Sequence, residues 1–107
     1  MTEENSDIQK RFKGLISLAM KAGRLEIGEA RAQDAIRGGK AYLIIVAEDA
    51  SDNTKKKFKD MAAFRKRPII LTSNRDELGR TVGRNFAVTM AVTDKGLAEG
   101  LKKLIDK

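Results

Sequence analysis

Two groups of residues in this chain are of types and spacings that could do chemistry. The first is the acidic pair Glu48-Asp49, which closes the apolar run Tyr42-Leu43-Ile44-Ile45-Val46-Ala47. Paired carboxylates at a strand end are where α/β enzymes hold Mg²⁺ or a general base. Nothing else that Mg²⁺ catalysis needs accompanies them, so turn formation and helix capping is the favoured reading. The second is a set of cations, Lys21, Arg24, Arg31, Arg80 and Arg84, that fall at the ends of predicted elements, together with the start of a helix at Gly28-Glu29. Free amides at a helix start attract anions such as phosphate, and arginines reach base edges or stack. In a layered α/β fold such element ends can share an edge and bring these residues together; the other reading is a scatter of surface charges.

Several chemistries are excluded outright. The sequence holds no histidine and no cysteine, which removes Ser-His-Asp and Cys-His catalysis, disulfides and thiolate–metal sites. Gly38-Gly39 precedes a strand rather than following one, so it fits neither dinucleotide-binding nor P-loop glycine patterns. Gly79 and Gly83 flank a helical turn, where close packing or capping accounts for them. The reading is non-enzymatic, with no metal and no cofactor.

The elements that would position these residues alternate. Ser6-Asp7-Ile8-Gln9 has capping-box spacing, so a first helix is expected from about Asp7, after a flexible tail over residues 1–6. Ile8, Phe12, Leu15, Ile16 and Ala19 share one face, and Gly23 stops the helix. Arg24–Ile27 alternates like a half-buried strand. The helix from Gly28 carries Ala32, Ala35 and Ile36 at helical spacing and ends at Gly38-Gly39. Tyr42–Ala47 reads as a strand covered on both faces. Ser51 or Asp52 caps a third helix that turns Phe58, Met61 and Ala62 inward. Between Lys55 and Arg67 this stretch holds seven basic residues and one acidic one, either a solvated face or a phosphate-contacting one. Pro68 leads into a strand over Ile69–Thr72. Asn74 with Glu77 starts a fourth helix with Leu78 and Val82 inward, a strand follows from Phe86 to Val92, and Asp94 caps a last helix on Leu97, Ala98, Leu101, Leu104 and Ile105. This order implies a single domain over residues 7–107, a three-layer α-β-α sandwich around a central four-stranded mixed sheet.

At 107 residues the chain can bury a core without metal or disulfide support. Its net charge of +7, from 22 Lys and Arg against 15 Asp and Glu, points to a polyanionic partner, nucleic acid first. The aromatics Phe12, Tyr42, Phe58, Phe64 and Phe86 are too few for a multi-base stacking platform. The polar, acidic stretch MTEENSD has no apolar targeting core, and no apolar run approaches a membrane span. A cytoplasmic monomer is the expectation.

The runs MKAGRLEIGEA, AIRGGKAYLIIVAEDAS, SNRDELGRTVG and FAVTMAVTD, in this order and spacing, resemble the ribosomal-protein superfamily called L-seven-Ae/L-thirty-e. Glu48-Asp49-Ala50-Ser51 with Asn53-Thr54 is similar to the hallmark of its bacterial YlxQ-type branch. The resemblance covers nearly everything from Leu15 to the C-terminal helix. It implies an α-β-α sandwich that binds kink-turn or related bent RNA, ribosomal RNA among the candidates. The RNA surface so implied is Gly28, Glu29, Ala30 and Arg31 at the start of the second helix, flanked by Glu48-Asp49. The loop Gly83, Arg84, Asn85 and Phe86 would cover a flipped-out base. The family's Asn-Glu-x-x-Lys signature falls on Ala30, Arg31 and Asp34, none of which matches. Ala30 offers no side-chain hydrogen bond, while Arg31 can donate to guanine O6 and N7. A protein-interaction adaptor, or an in-trans substrate-binding partner of an RNA-modifying enzyme, is the alternative.

Overall fold

The run Leu43-Ile44-Ile45-Val46 is so uniformly apolar that a strand there must be covered on both sides, and it is one of the two inner strands of the sheet. The computed structural model describes residues 3–105. Its elements are α1 (Glu3–Lys21), β1 (Leu25–Ile27), α2 (Glu29–Arg37), β2 (Leu43–Val46), α3 (Asp52–Arg65), β3 (Ile69–Leu71), α4 (Arg75–Thr81), β4 (Thr89–Val92) and α5 (Lys95–Ile105). The four strands lie in the order β1-β4-β2-β3. β4 runs antiparallel to both β1 and β2, and β2 pairs in parallel with β3, so the sheet is mixed.

Because side chains alternate along a strand, β2 and β4 divide between two cores. Leu43, Ile45, Met90 and Val92 meet Phe12 and Ile16 of α1, Leu78 of α4 and Leu101 of α5. Ile44, Val46 and Ala91 meet Ala32 and Ile36 of α2 and Phe58 of α3. The sandwich is therefore α1, α4 and α5 on one face and α2 and α3 on the other. Ser51, Asn74 and Asp94 each accept a backbone N–H three residues on, at 3.2, 2.9 and 2.8 Å, and so fix the starts of α3, α4 and α5.

Three expectations are corrected. α1 begins at Glu3 and runs through Ser6, so Ser6 is not its N-cap and no tail extends to residue 6; Met1 and Thr2 lie outside the described residues. β4 begins at Thr89 rather than Phe86, because the preceding loop folds back onto α4. There the Arg84 amide donates to Gly79 O at 2.8 Å and the Ala87 amide to Arg75 O at 3.0 Å. Ile105, expected on the inward face of α5, is exposed.

Candidate nucleic-acid interface

Gly28 directly follows β1 and is the N-cap of α2, and its backbone explains why glycine stands there. At φ 103° and ψ 157° it occupies a region essentially closed to L side chains. The turn is held by the Gly28 amide, which donates to Thr89 O at 2.9 Å. No side chain caps α2, so its first amides are not met by a side-chain acceptor. Facing them across a groove of about 500 Å³ are Arg84, Asn85 and Phe86, all exposed, with Thr89 at the groove's base. The topology does this: β1 and β4 are neighbours, so the turn leaving β1 and the loop entering β4 lie at one end of the sheet.

The remaining predicted residues are distributed differently. Arg24 and Arg31 line a second groove, about 640 Å³, on the flank of α2 toward its C-terminal end. Arg31 points its guanidinium at Glu26, 3.6 Å away. Glu29 turns toward α3, where it pairs with Lys57 at 2.6 Å. Ala30 is exposed on the first turn of α2. Lys21 is exposed in the last turn of α1 and lines neither groove. Arg80 stands apart from Arg84: it pairs with Glu77 at 3.2 Å and lines a shallow groove with Lys13 and Ser17 of α1. One edge therefore does not collect all five cations; Arg84 joins Gly28, Arg24 joins Arg31, and Arg80 and Lys21 lie elsewhere.

The acidic pair follows the structural reading. Asp49 Oδ1 accepts the Arg75 amide at 3.0 Å and the Glu48 amide donates to Ser73 O at 3.2 Å, which ties the turn after β2 to the start of α4. Among the described residues no group of histidine, cysteine or acidic side chains is arranged to hold a metal ion, and no helix is long and apolar enough to cross a membrane.

Glu77 links α4 to α1. The hydrogen bond from Lys13 Nζ at 2.8 Å, the Lys13 charge and then the Arg80 charge hold its carboxyl below the usual carboxylate range. A depressed folded pKa contributes stability that is present above the unfolded value and lost as pH falls through the folded one. Lys13→Ala should therefore be less stable than the parent at neutral pH, with the gap closing in acid as Glu77 protonates. Urea midpoints measured from neutral pH down through the carboxylate range check this. A gap that does not change with pH would contradict it.

Two features were not read from the sequence. Thr89 is 1% exposed and its Oγ1 makes no hydrogen bond among the described residues; the signal was a lone hydroxyl in an otherwise apolar strand. Arg67 stacks over the Tyr42 ring, 5.1 Å from its centroid. That pairing requires knowing that β2 and β3 are parallel neighbours.

Fold and span together define the class. The sequence model of the family described as Ribosomal protein L7Ae/L30e/S12e/Gadd45 matches residues 10–102, and the chain belongs to that family. Within it, the chain is similar to RNA-binding protein YlxQ of Bacillus subtilis (strain 168), 39% identical over 92 residues that cover 86% of this chain and 92% of that one. RNA-binding protein YlxQ of Enterococcus faecium is 36% identical over 102 residues, 95% of this chain and 98% of that one. A solved structure described as a protein with unknown function from Bacillus halodurans C superposes with a TM-score of 0.88 at 34% identity, covering 91% of this chain and 98% of that one. As a member of a ribosomal-protein family with relatives named RNA-binding proteins, the chain is not an enzyme.

Proposed function

We propose that the protein binds structured RNA of the kink-turn or related bent kind through the start of α2 and the loop before β4. The observation that carries this reading is the α2 start, left without a side-chain cap at Gly28 and sharing one groove with Arg84, Asn85 and the exposed Phe86. Relatives over most of the chain are named RNA-binding proteins, which agrees with it. On this reading the first amides of α2 hold a phosphate, and the loop from Gly83 to Phe86 covers an extruded base by stacking. Arg31 leaves Glu26 to meet a guanine. Exchange of an exposed ion pair worth about 0–1 kcal/mol for a bidentate base contact worth about 1–3 kcal/mol is favourable. The protein acts as a cytoplasmic monomer, and a ribosomal RNA element is the first natural target to try.

The test is titration with a kink-turn RNA and with a version whose sheared G·A pairs are disrupted, at two salt concentrations. Weaker binding of the disrupted RNA at both salts is the expected result. Equal and strongly salt-dependent binding of both would instead mean a general grip on polyanions. Arg31→Ala should cost about 1–3 kcal/mol on the intact RNA only. Lys55→Ala on α3 should weaken both RNAs mildly and alike. If the two substitutions behave the same way, the division of roles fails.

A further inference from the structure

The groove beside α2 that holds Arg24 and Arg31 is larger than the one at Gly28. Its lining sets one aromatic ring, Tyr42, among the exposed charged residues Arg24, Arg31, Asp34 and Lys40. Tyr42 is half-buried there with Arg67 stacked on its ring at 5.1 Å. Arg24 and Lys40 reach it without an ion-pair partner among the described residues, whereas the charge of Arg31 is met by Glu26 at 3.6 Å. Asp34 adds an exposed carboxylate, a hydrogen-bond acceptor, that has no ion pair among the described residues. The volume, about 640 Å³, lies in the range of small-ligand sites.

From this we infer that the groove is a subsite for one unpaired nucleotide flanking the bent RNA, an extension that rests on the RNA reading above. The base packs on the part of the half-buried Tyr42 ring that the core leaves open, beside the Arg67 guanidinium over that ring. Its phosphate lies at the rim on Arg24 and Lys40, while the carboxylates of Glu26 and Asp34 repel phosphate from the floor and accept the N–H groups of a base edge. Continuity supports this arrangement. Arg31 sits on the first turn of α2 and lines this groove too, and nine-residue α2 is about 13 Å long, a span that a few nucleotides of single strand cover.

The experiment compares a blunt kink-turn RNA with the same RNA carrying three unpaired nucleotides at either end. The intact protein should bind a flanked RNA about fivefold or more tightly than the blunt one. Tyr42→Leu, which keeps apolar volume but not the aromatic face, should abolish that gain and leave blunt binding unchanged; Lys40→Ala should reduce it. Tyr42 is the one tyrosine and there is no tryptophan, so intrinsic fluorescence reports this ring alone. It should be quenched by the flanked RNA and not by the blunt one. Absence of a flank-dependent gain, or a gain that survives Tyr42→Leu, overturns the subsite while blunt binding keeps the RNA reading intact. Failure of the intact protein to bind either RNA overturns both. If Tyr42→Leu does not fold, Lys40→Ala and the fluorescence of the unmodified protein decide.

Discussion

Gly79→Ala should be the most damaging single-methyl change in the protein. A Cβ at Gly79 would stand 2.5 Å from Phe86 Cα, 2.8 Å from Phe86 N and 2.9 Å from Arg84 O. All three are backbone atoms, so no side-chain rotation relieves the clash; α4 or the loop must move. The loop cannot move freely, since the Arg84 amide is bonded to Gly79 O itself and the Ala87 amide to Arg75 O. Overpacking of this kind costs about 1–3 kcal/mol, and the upper end is expected where the obstacle is backbone. At about 3 kcal/mol the melting temperature of a domain this size should fall by roughly 12–20 °C. Gly14→Ala is the control: that site is in the middle of α1 with nothing within 4 Å of the added atom. There alanine should raise stability by about 0.5–1 kcal/mol through helix propensity. Opposite signs for one chemical change at two helical glycines are the expected result, read by thermal melts. The same displacement should carry Arg84 and Phe86 away from the α2 start, so RNA affinity of the folded Gly79→Ala protein should fall as well. A variant that melts like its parent would mean the loop is not locked to α4.

Much of this architecture is legible in the sequence because local signals and burial agree. The caps Ser51, Asn74 and Asp94 stand where a polar residue breaks each apolar pattern, and the β2 run is apolar at every position because both cores need it. The errors come where two local signals compete. Ser6-x-x-Gln9 has the spacing of a cap, yet Glu3 and Glu4 upstream suit the positive end of a helix and α1 continues through them. Phe86-Ala87-Val88 has strand composition, but the Ala87 amide donates to Arg75 O in α4 and only Val88 O, which accepts the Ala47 amide, still faces β2, a division that no periodicity reveals.

For the site, the helix start at Gly28-Glu29 is where the local pattern places it, while the Glu29 side chain turns to Lys57. Grouping residues far apart in the chain depends instead on strand order. Arg80 and Arg84 are four residues apart, yet the turn between them sends one to α1 and the other to the groove at Gly28. Lys40 and Tyr42 belong to the connection into β2 and Arg67 to the connection into β3, and their proximity follows from β2 and β3 lying parallel. Gly79 shows the same limit: the sequence admits packing or capping at that position, and only the folded loop shows it to be packing.

Gly28→Ala separates the conformational role of that residue from its role toward RNA. Space is not the issue, because a Cβ there would meet nothing within 4 Å. The issue is φ 103° with ψ 157°, a conformation that costs a non-glycine residue about 1–3 kcal/mol. Two responses are open to the alanine variant. It can keep the turn and bear the strain, in which case the melting temperature falls while the α2 amides stay in place. It can instead relax to negative φ, which swings its amide off Thr89 O, now 2.9 Å away, and moves the first turn of α2 relative to Arg84–Phe86. The second response is expected, because the lost bond is worth only about 1 kcal/mol and the relief exceeds it. Stability should then drop by about 1 kcal/mol and affinity for a kink-turn RNA by about tenfold, as one charge-assisted phosphate contact is lost. Both are measured well below the melting temperature, so that unfolding does not masquerade as weak binding. A variant with reduced stability but parental affinity would show that the RNA does not use the start of α2. A variant of undiminished stability would show that the backbone at Gly28 is not strained for alanine.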